Sequence, residues 1–148
     1  SFQVDAVIDD ILEKLPDAGR VSVYRESRML VNSDWQIFKS VVSNLIDNAL
    51  KYSLPGSKIQ VRVRPAENKS VRGCEVSIEN EVATGAGGSG FPDASELFKK
   101  YYRAGSARKH SGSGLGLYLV ANFMRLLGGE VRYEPSDSSV RFTVWLPN

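Results

Sequence analysis

The chain has one cysteine, Cys74, and one histidine, His110. A lone cysteine permits neither an internal disulfide nor a zinc cluster, and a reducing, cytoplasmic setting is expected. Long hydrophobic runs are missing as well. The longest is Leu117-Tyr118-Leu119-Val120-Ala121, and five residues cannot span a bilayer. The opening Ser1-Phe2-Gln3-Val4-Asp5 lacks the basic start and apolar core of a secretory signal. A start at Ser1 rather than Met reads as a piece cut from something longer. Nor is there an excess of either charge: 19 basic and 17 acidic residues leave +2, which excludes a strongly basic nucleic-acid module on global charge. Repeats and low-complexity tracts are absent. What remains is 148 residues, 42% of them apolar, the size and composition of one ordinary domain. A chain of this length buries roughly 70% of its unfolded surface and needs no covalent or metal staple.

Periodicity places the elements. Val4, Val7, Ile8, Ile11, Leu12 and Leu15 recur at helical spacing, and Pro16 ends that helix. Residues 21–23 and 29–31 read as short strands. Ser33-Asp34 makes a good N-cap for the strongest helix in the chain, which carries Trp35, Ile37, Phe38, Val41, Val42, Leu45, Ile46 and Ala49. Leu54-Pro55-Gly56 stops it. Ile59, Val61 and Val63 alternate with polar residues, as do Val76 and Ile78, which predicts two strands separated by a polar turn over 65–73. On the second strand Val76, Ile78 and Asn80 share one face, while Glu75, Ser77 and Glu79 point to water. Residues 84–90 hold four glycines and form a loop. Asp93-Ala94-Ser95-Glu96 is a capping box that opens a short helix. Gly114 leads into a helix closed by Gly128-Gly129, and two strands follow, around Val131–Tyr133 and Val140–Leu146. This order of elements suggests a sheet covered by helices on one face.

Two segments carry groups suited to chemistry. In Asn44-Leu45-Ile46-Asp47-Asn48-Ala49-Leu50-Lys51-Tyr52-Ser53, Asn44 and Asn48 stand at i and i+4 on one helical face, and Lys51 and Tyr52 extend it. One reading is a solvated stripe with Asn48 near the helix end. The other is a polyphosphate site, with an Asn oxygen on Mg²⁺ and Lys51 as counter-charge. Gly112-Ser113-Gly114-Leu115-Gly116-Leu117 opens a helix, where free N–H groups and glycines let phosphate approach, although such a start also serves ordinary packing. It is neither a dinucleotide fingerprint nor a Walker A loop. Lys99, Lys100, Arg103, Arg108 and Lys109 cluster without an acid. They read as a solvated loop, or as partners for a phosphate in one or two cases. Trp35 and Trp145 sit on periodic elements and read as packing.

Taken together, these segments resemble the catalytic ATP-binding domain of sensor histidine kinases. Residues 44–53 look like the N-box, residues 112–117 like the G2 box, and Leu97-Phe98-Lys99-Lys100-Tyr101-Tyr102-Arg103 like the F-box. The resemblance covers essentially the whole chain, so residues 1–148 would be this one domain without its dimerisation and phosphoacceptor domain. It implies an α+β fold, a two-layer α/β sandwich of the Bergerat type with a mixed sheet of about five strands and about three helices on one face. It implies binding of Mg-ATP and transfer of the γ-phosphoryl group to a histidine of a partner helical dimerisation domain. A response regulator would act downstream, in a cytoplasmic segment of a parent that can itself be membrane-anchored. No nucleic acid and no direct membrane contact are expected of this segment.

Carried over residue by residue, Asn48 would bind Mg²⁺, Asn44 would contact phosphate or metal-bound water, and Lys51 would pair with phosphate. These three are the candidate catalytic residues. Tyr52 would line the adenine pocket. Gly112, Gly114, Leu115 and Gly116 would meet the phosphates beneath a lid over about 101–113 that includes Tyr102 and Arg103. In the family's G1 box an Asp bonds the adenine amino group; here alignment puts Asn80 there, with Gly90 as the following glycine after an apparent insertion. An Asn oxygen can still accept from that amine, without the charge assistance of Asp. Related ATPases with this fold usually place a water-activating Glu where this chain has Asn44, which favours phosphoryl transfer over hydrolysis. His110 lies in a basic Gly/Ser-rich loop and is not the phosphoacceptor. The altered G1 box keeps two alternatives open: a non-catalytic nucleotide-binding or scaffold module, and a serine kinase of the anti-sigma type.

Overall fold

The computed structural model describes residues 1–82, Phe98 and 116–148. The glycine loop at 84–90, the capping box at 93–96 and residues 101–113 lie outside the described residues.

Helix α1 (Val4–Glu13) buries Val4, Val7, Ile8 and Ile11, as its spacing requires, and stops short of Pro16. Helix α2 (Trp35–Tyr52) runs five turns. Its N-cap is Asp34, whose carboxylate accepts from Ile37 N–H at 2.9 Å and satisfies one of the helix's free donors. Asp34→Ala is expected to cost about 1 kcal/mol of stability, read as a lowered midpoint in urea with an unchanged slope. Helix α3 (Gly116–Leu126) ends in a Schellman turn: Gly129 N–H reaches Met124 O at 2.8 Å and Gly128 N–H reaches Arg125 O at 3.1 Å. That turn needs Gly128 at φ +75°, and the closing Gly129 backs so closely on the last strand that a Cβ would stand 2.3 Å from Trp145 O.

The remaining strands are β1 (Phe2–Gln3), β2 (Val21–Arg25), β3 (Leu30–Val31), β4 (Ile59–Asn68), β5 (Val71–Glu81), β6 (Glu130–Pro135) and β7 (Ser139–Pro147). Five of them form one mixed sheet in the order β2-β4-β5-β7-β6, parallel only between β2 and β4. Val61, Val63, Val76, Ile78, Val144 and Leu146 turn one face inward, each nearly inaccessible, and α2 and α3 pack against that side. The two-layer architecture expected from the sequence is therefore present. Among the described residues, no helix is long and apolar enough to cross a membrane. Cys74 is buried on β5, and burial pushes its thiol up to about 12, so it acts as a neutral packing group.

Two expectations need correction, and one pairing was not expected. Strand β1 and its antiparallel pairing with β3 carry no periodic signal, because each contributes two residues. Phe2 seals that pairing edge-on against Trp35, with ring centres 5.5 Å apart. Residues 65–73 are not a turn. Strands β4 and β5 continue in register from Pro65↔Cys74 to Asn68↔Val71, and the turn is Lys69-Ser70 alone, both at positive φ. Pro65 is tolerated because Val63 O already accepts from Glu26 N–H just past the end of β2. Two residues later Pro65 turns its missing N–H to that same side, where no strand remains. Finally, Glu75 does lie on the outer face but is only 7% exposed. Arg64 and Arg132 close over it, each with Nη2 2.8 Å from a carboxylate oxygen, and the carboxylate in turn holds the Arg64 guanidinium more firmly protonated.

Candidate functional site

The second half of α2 meets three environments. Val41, Val42, Leu45, Ile46 and Ala49 face the core. Asp47 and Lys51 are exposed, and between these zones runs a half-buried polar strip of Asn44, Asn48 and Tyr52 at i, i+4 and i+8. Lys51 stands seven positions after Asn44, on the water side of the strip. The helix continues a full turn beyond Asn48 to its C-cap at Ser53, so Asn48 is not a capping residue.

The two amides differ. Asn44 Nδ2 donates to Ser40 O at 2.9 Å, one turn back in its own helix, which fixes the side chain and leaves Oδ1 as its outward group. The Asn48 amide has no hydrogen-bond partner among the described residues. Helix α3 begins over this strip: a Cβ on Gly116 would lie 3.5 Å from Asn44 Oδ1, an ordinary contact distance. Packing among the described residues therefore does not demand a glycine here, although glycine in a helix costs about 0.5–1 kcal/mol relative to alanine.

Asn80 lies near the end of β5, opposite Val140 of β7. It shares the inward face with Val76 and Ile78 and is 5% exposed. Its Nδ2 donates to Glu81 O at 3.2 Å, which leaves Oδ1 as an acceptor at the buried end of the strand. Glu79 stands on the opposite face, 3.8 Å from Arg141. A polar dent lined by Gln60, Arg62, Ser77, Glu79 and Arg141 belongs to that outer face, away from Asn80.

The end of α2 and the end of β5 are joined directly. Leu54 N–H donates to Glu81 O at 3.0 Å, one residue from Asn80 and two from Tyr52. Sequence reasoning missed this junction, and it missed Arg20, which reaches Ser53 from 33 positions earlier. Contacts over such separations leave no local pattern to read. Phe98, from the F-box run, packs edge-on against Phe142 of β7, with ring centres 6.2 Å apart. Gly90, Tyr102, Arg103, Gly112, Gly114 and Leu115 lie outside the described residues, as do the basic residues at 99–109 and His110.

Comparison with known proteins places this arrangement in a family. The family model for histidine kinase-, DNA gyrase B- and HSP90-like ATPases matches residues 33–148. The swarming motility regulation sensor protein RssA of Serratia marcescens is 31% identical over 123 residues, covering 80% of this chain and 24% of that protein. The probable sensor kinase SilS of Salmonella typhimurium is 34% identical over 122 residues, covering 80% of this chain and 22% of that protein. The chain thus spans about a quarter of the length of these curated relatives. The solved structure of the mycobacterial sensor histidine kinase MprB superposes with a TM-score of 0.77 at 27% identity, covering 99% of this chain and 96% of that one. By sequence over most of its length and by fold over nearly all of it, the chain belongs to the histidine kinase-, DNA gyrase B- and HSP90-like ATPase family, as an ATP-binding domain of the sensor histidine kinase type.

Proposed function

We propose that this domain binds Mg-ATP between the polar strip of α2, the end of β5 and the start of α3. We propose further that it presents the γ-phosphoryl group to a histidine on a helical dimerisation domain of its parent protein, with a response regulator downstream. The observation that carries the reading is the pairing of two amides at a joined corner. Among the described residues, Asn48 is half-buried without a hydrogen-bond partner, and Asn80 is buried with only its Nδ2 engaged, on Glu81 O. A nucleotide has a group for each: phosphate-bound metal at one end and an exocyclic amine at the other.

The residues present fit a magnesium ion in an unusual way. Among the described residues, no group of three or more His, Cys, Asp or Glu side chains could hold a metal. A hard cation here would take the Asn48 oxygen and complete its shell with phosphate oxygens and water, as Mg²⁺ does when it arrives with a nucleotide. What the ion supplies when bound is neutralisation of phosphate charge. The chain's own groups do the rest. Asn44 Oδ1, fixed by the Ser40 bond, orients water or accepts a donor beside the phosphates. The exposed Lys51 ammonium offers a counter-charge. Gly116 leaves backbone open where packing among the described residues does not require it. Gly90, Tyr102, Arg103, Gly112, Gly114 and Leu115 are assigned to the nucleotide by the family resemblance. The nucleophile is the partner's imidazole nitrogen: it forms the new N–P bond as the bond from the γ-phosphorus to the bridging oxygen breaks and ADP leaves. Catalysis on this side is positioning and charge stabilisation.

The test has two stages. Titration of the chain with a fluorescent ATP analogue is expected to show binding that strengthens with Mg²⁺. Addition of the parent's helical domain with labelled ATP is expected to give an acid-labile, base-stable phosphoprotein, the signature of phosphohistidine. Binding without transfer would identify a non-catalytic nucleotide module, and an acid-stable product would identify a serine kinase.

A further inference from the structure

The proposed site is built from parts far apart in sequence, and they meet at residues 53–57, between α2 and β4. This segment has little to hold it. It contains Pro55 and Gly56, the latter at φ +78°, and Leu54 is 37% exposed. Its own bonds are short-range, from Ser57 N–H to Leu54 O at 3.1 Å and from Ser53 Oγ to Leu50 O at 3.3 Å. Yet it makes the backbone bond to Glu81 that ties the end of α2 to the end of β5.

Arg20 grips this segment from outside. Its Nη2 donates to Ser53 Oγ at 2.7 Å and to Leu54 O at 3.3 Å, and its Nε donates to Ser57 O at 3.1 Å. One guanidinium thus spans three acceptors. The grip is firm because Arg20 closes a 3-10 turn, Ala18–Arg20, in which Arg20 N–H bonds Asp17 O at 2.9 Å. Among the described residues Arg20 has no acidic partner, so its charge is directed wholly at this loop. A planar fork of donors can serve three oxygens at once; a lysine ammonium cannot match that geometry.

We infer that Arg20 is a positioning residue for the base-binding end of the nucleotide site. By fixing residues 53–57 it holds Leu54 on Glu81, and so keeps Tyr52 and Asn80 in register with each other. The inference rests on the nucleotide site proposed above. It separates the two ends of that site: Arg20 supports the corner at Tyr52 and Asn80, whereas Asn48 lies one turn back along α2.

The experiment compares ATP and adenosine as competitors of a fluorescent ATP analogue, with and without Mg²⁺, on the whole chain. Arg20→Ala is expected to weaken ATP and adenosine by the same factor, about tenfold, the scale of losing charge-assisted bonds that hold a site in place. The gain in ATP affinity on adding Mg²⁺ is expected to stay at the wild-type ratio. Arg20→Lys is expected to recover only part of the loss. A purely structural role would lower the unfolding temperature while leaving both affinities of the folded protein unchanged, and that result overturns the inference. So does a loss confined to ATP. If Arg20→Ala does not fold, Ser53→Ala removes one of the three acceptors and carries the same test, with a shift of about threefold expected for both ligands; unchanged affinity there also overturns it. A wild-type chain that binds neither ligand overturns the nucleotide site itself, which keeps the two failures distinct.

Discussion

Asn48→Ala is expected to abolish the Mg²⁺-dependent part of ATP binding, and with it phosphoryl transfer. The side chain sits on a half-buried strip of α2 with no hydrogen-bond partner among the described residues, so its removal strands none of their polar groups. Alanine is the better helix former, and the neighbours that anchor this turn, Leu45 and Ala49, are untouched. The fold should therefore survive. The metal has less recourse. It loses the one protein oxygen assigned to it, and no cluster of carboxylates among the described residues can take over. Titration of a fluorescent ATP analogue with and without Mg²⁺ reads the effect directly: the wild type tightens on adding the ion and the variant does not. A folded variant that tightens as the wild type does removes Asn48 from the metal site. Asn44 makes the contrast clear. Its amide N–H is already committed to Ser40 O, so part of its role is to brace the helix, and only its oxygen is left for a ligand.

Much of this was legible in the sequence because the informative elements are long and one-sided. Helix α2 runs 18 residues, with an apolar stripe and a capping Asp34, and the structure returns it at nearly those bounds. The inward face of β5 followed from parity alone: Val76, Ile78 and Asn80 are all buried. Parity failed on the other face for an energetic reason. Alternation marks which side chains leave the core, and it cannot say that two arginines from β4 and β6 will close over Glu75 and exclude water. It failed again over 65–73. Beyond Val63 the β4–β5 hairpin has no β2 beside it, and its few apolar residues over 65–72, Pro65, Ala66 and Val71, do not alternate with polar ones, so a strand resembles a turn. Arg20 stayed hidden for a third reason. Its partners are two backbone oxygens and one hydroxyl, and backbone acceptors leave no trace in residue identity.

The Asn80 position is where the family pattern and this chain part, and it carries the second large effect. Asn80→Ala is expected to weaken ATP by roughly 1–3 kcal/mol, the usual penalty for leaving a buried polar edge unpaired, or about 5- to 150-fold in dissociation constant. The geometry fixes the sense of the contact. Nδ2 is held by Glu81 O, so Oδ1 is the group left for a ligand, and it accepts. The adenine amino group donates there; guanine presents a carbonyl at the same ring position, and two acceptors repel. Wild-type protein is therefore expected to prefer ATP over GTP, and Asn80→Ala is expected to lose most of that preference, because the acceptor that penalises guanine is gone. Competition by ATP and GTP against a fluorescent analogue measures both effects in one experiment. Neither neighbouring acid can substitute from its present place, since Glu79 points to the outer face beside Arg141 and Glu81 is exposed. If the folded variant keeps wild-type affinity and selectivity, base recognition does not run through the end of β5. It would then have to come from Tyr52 or from residues 83–115.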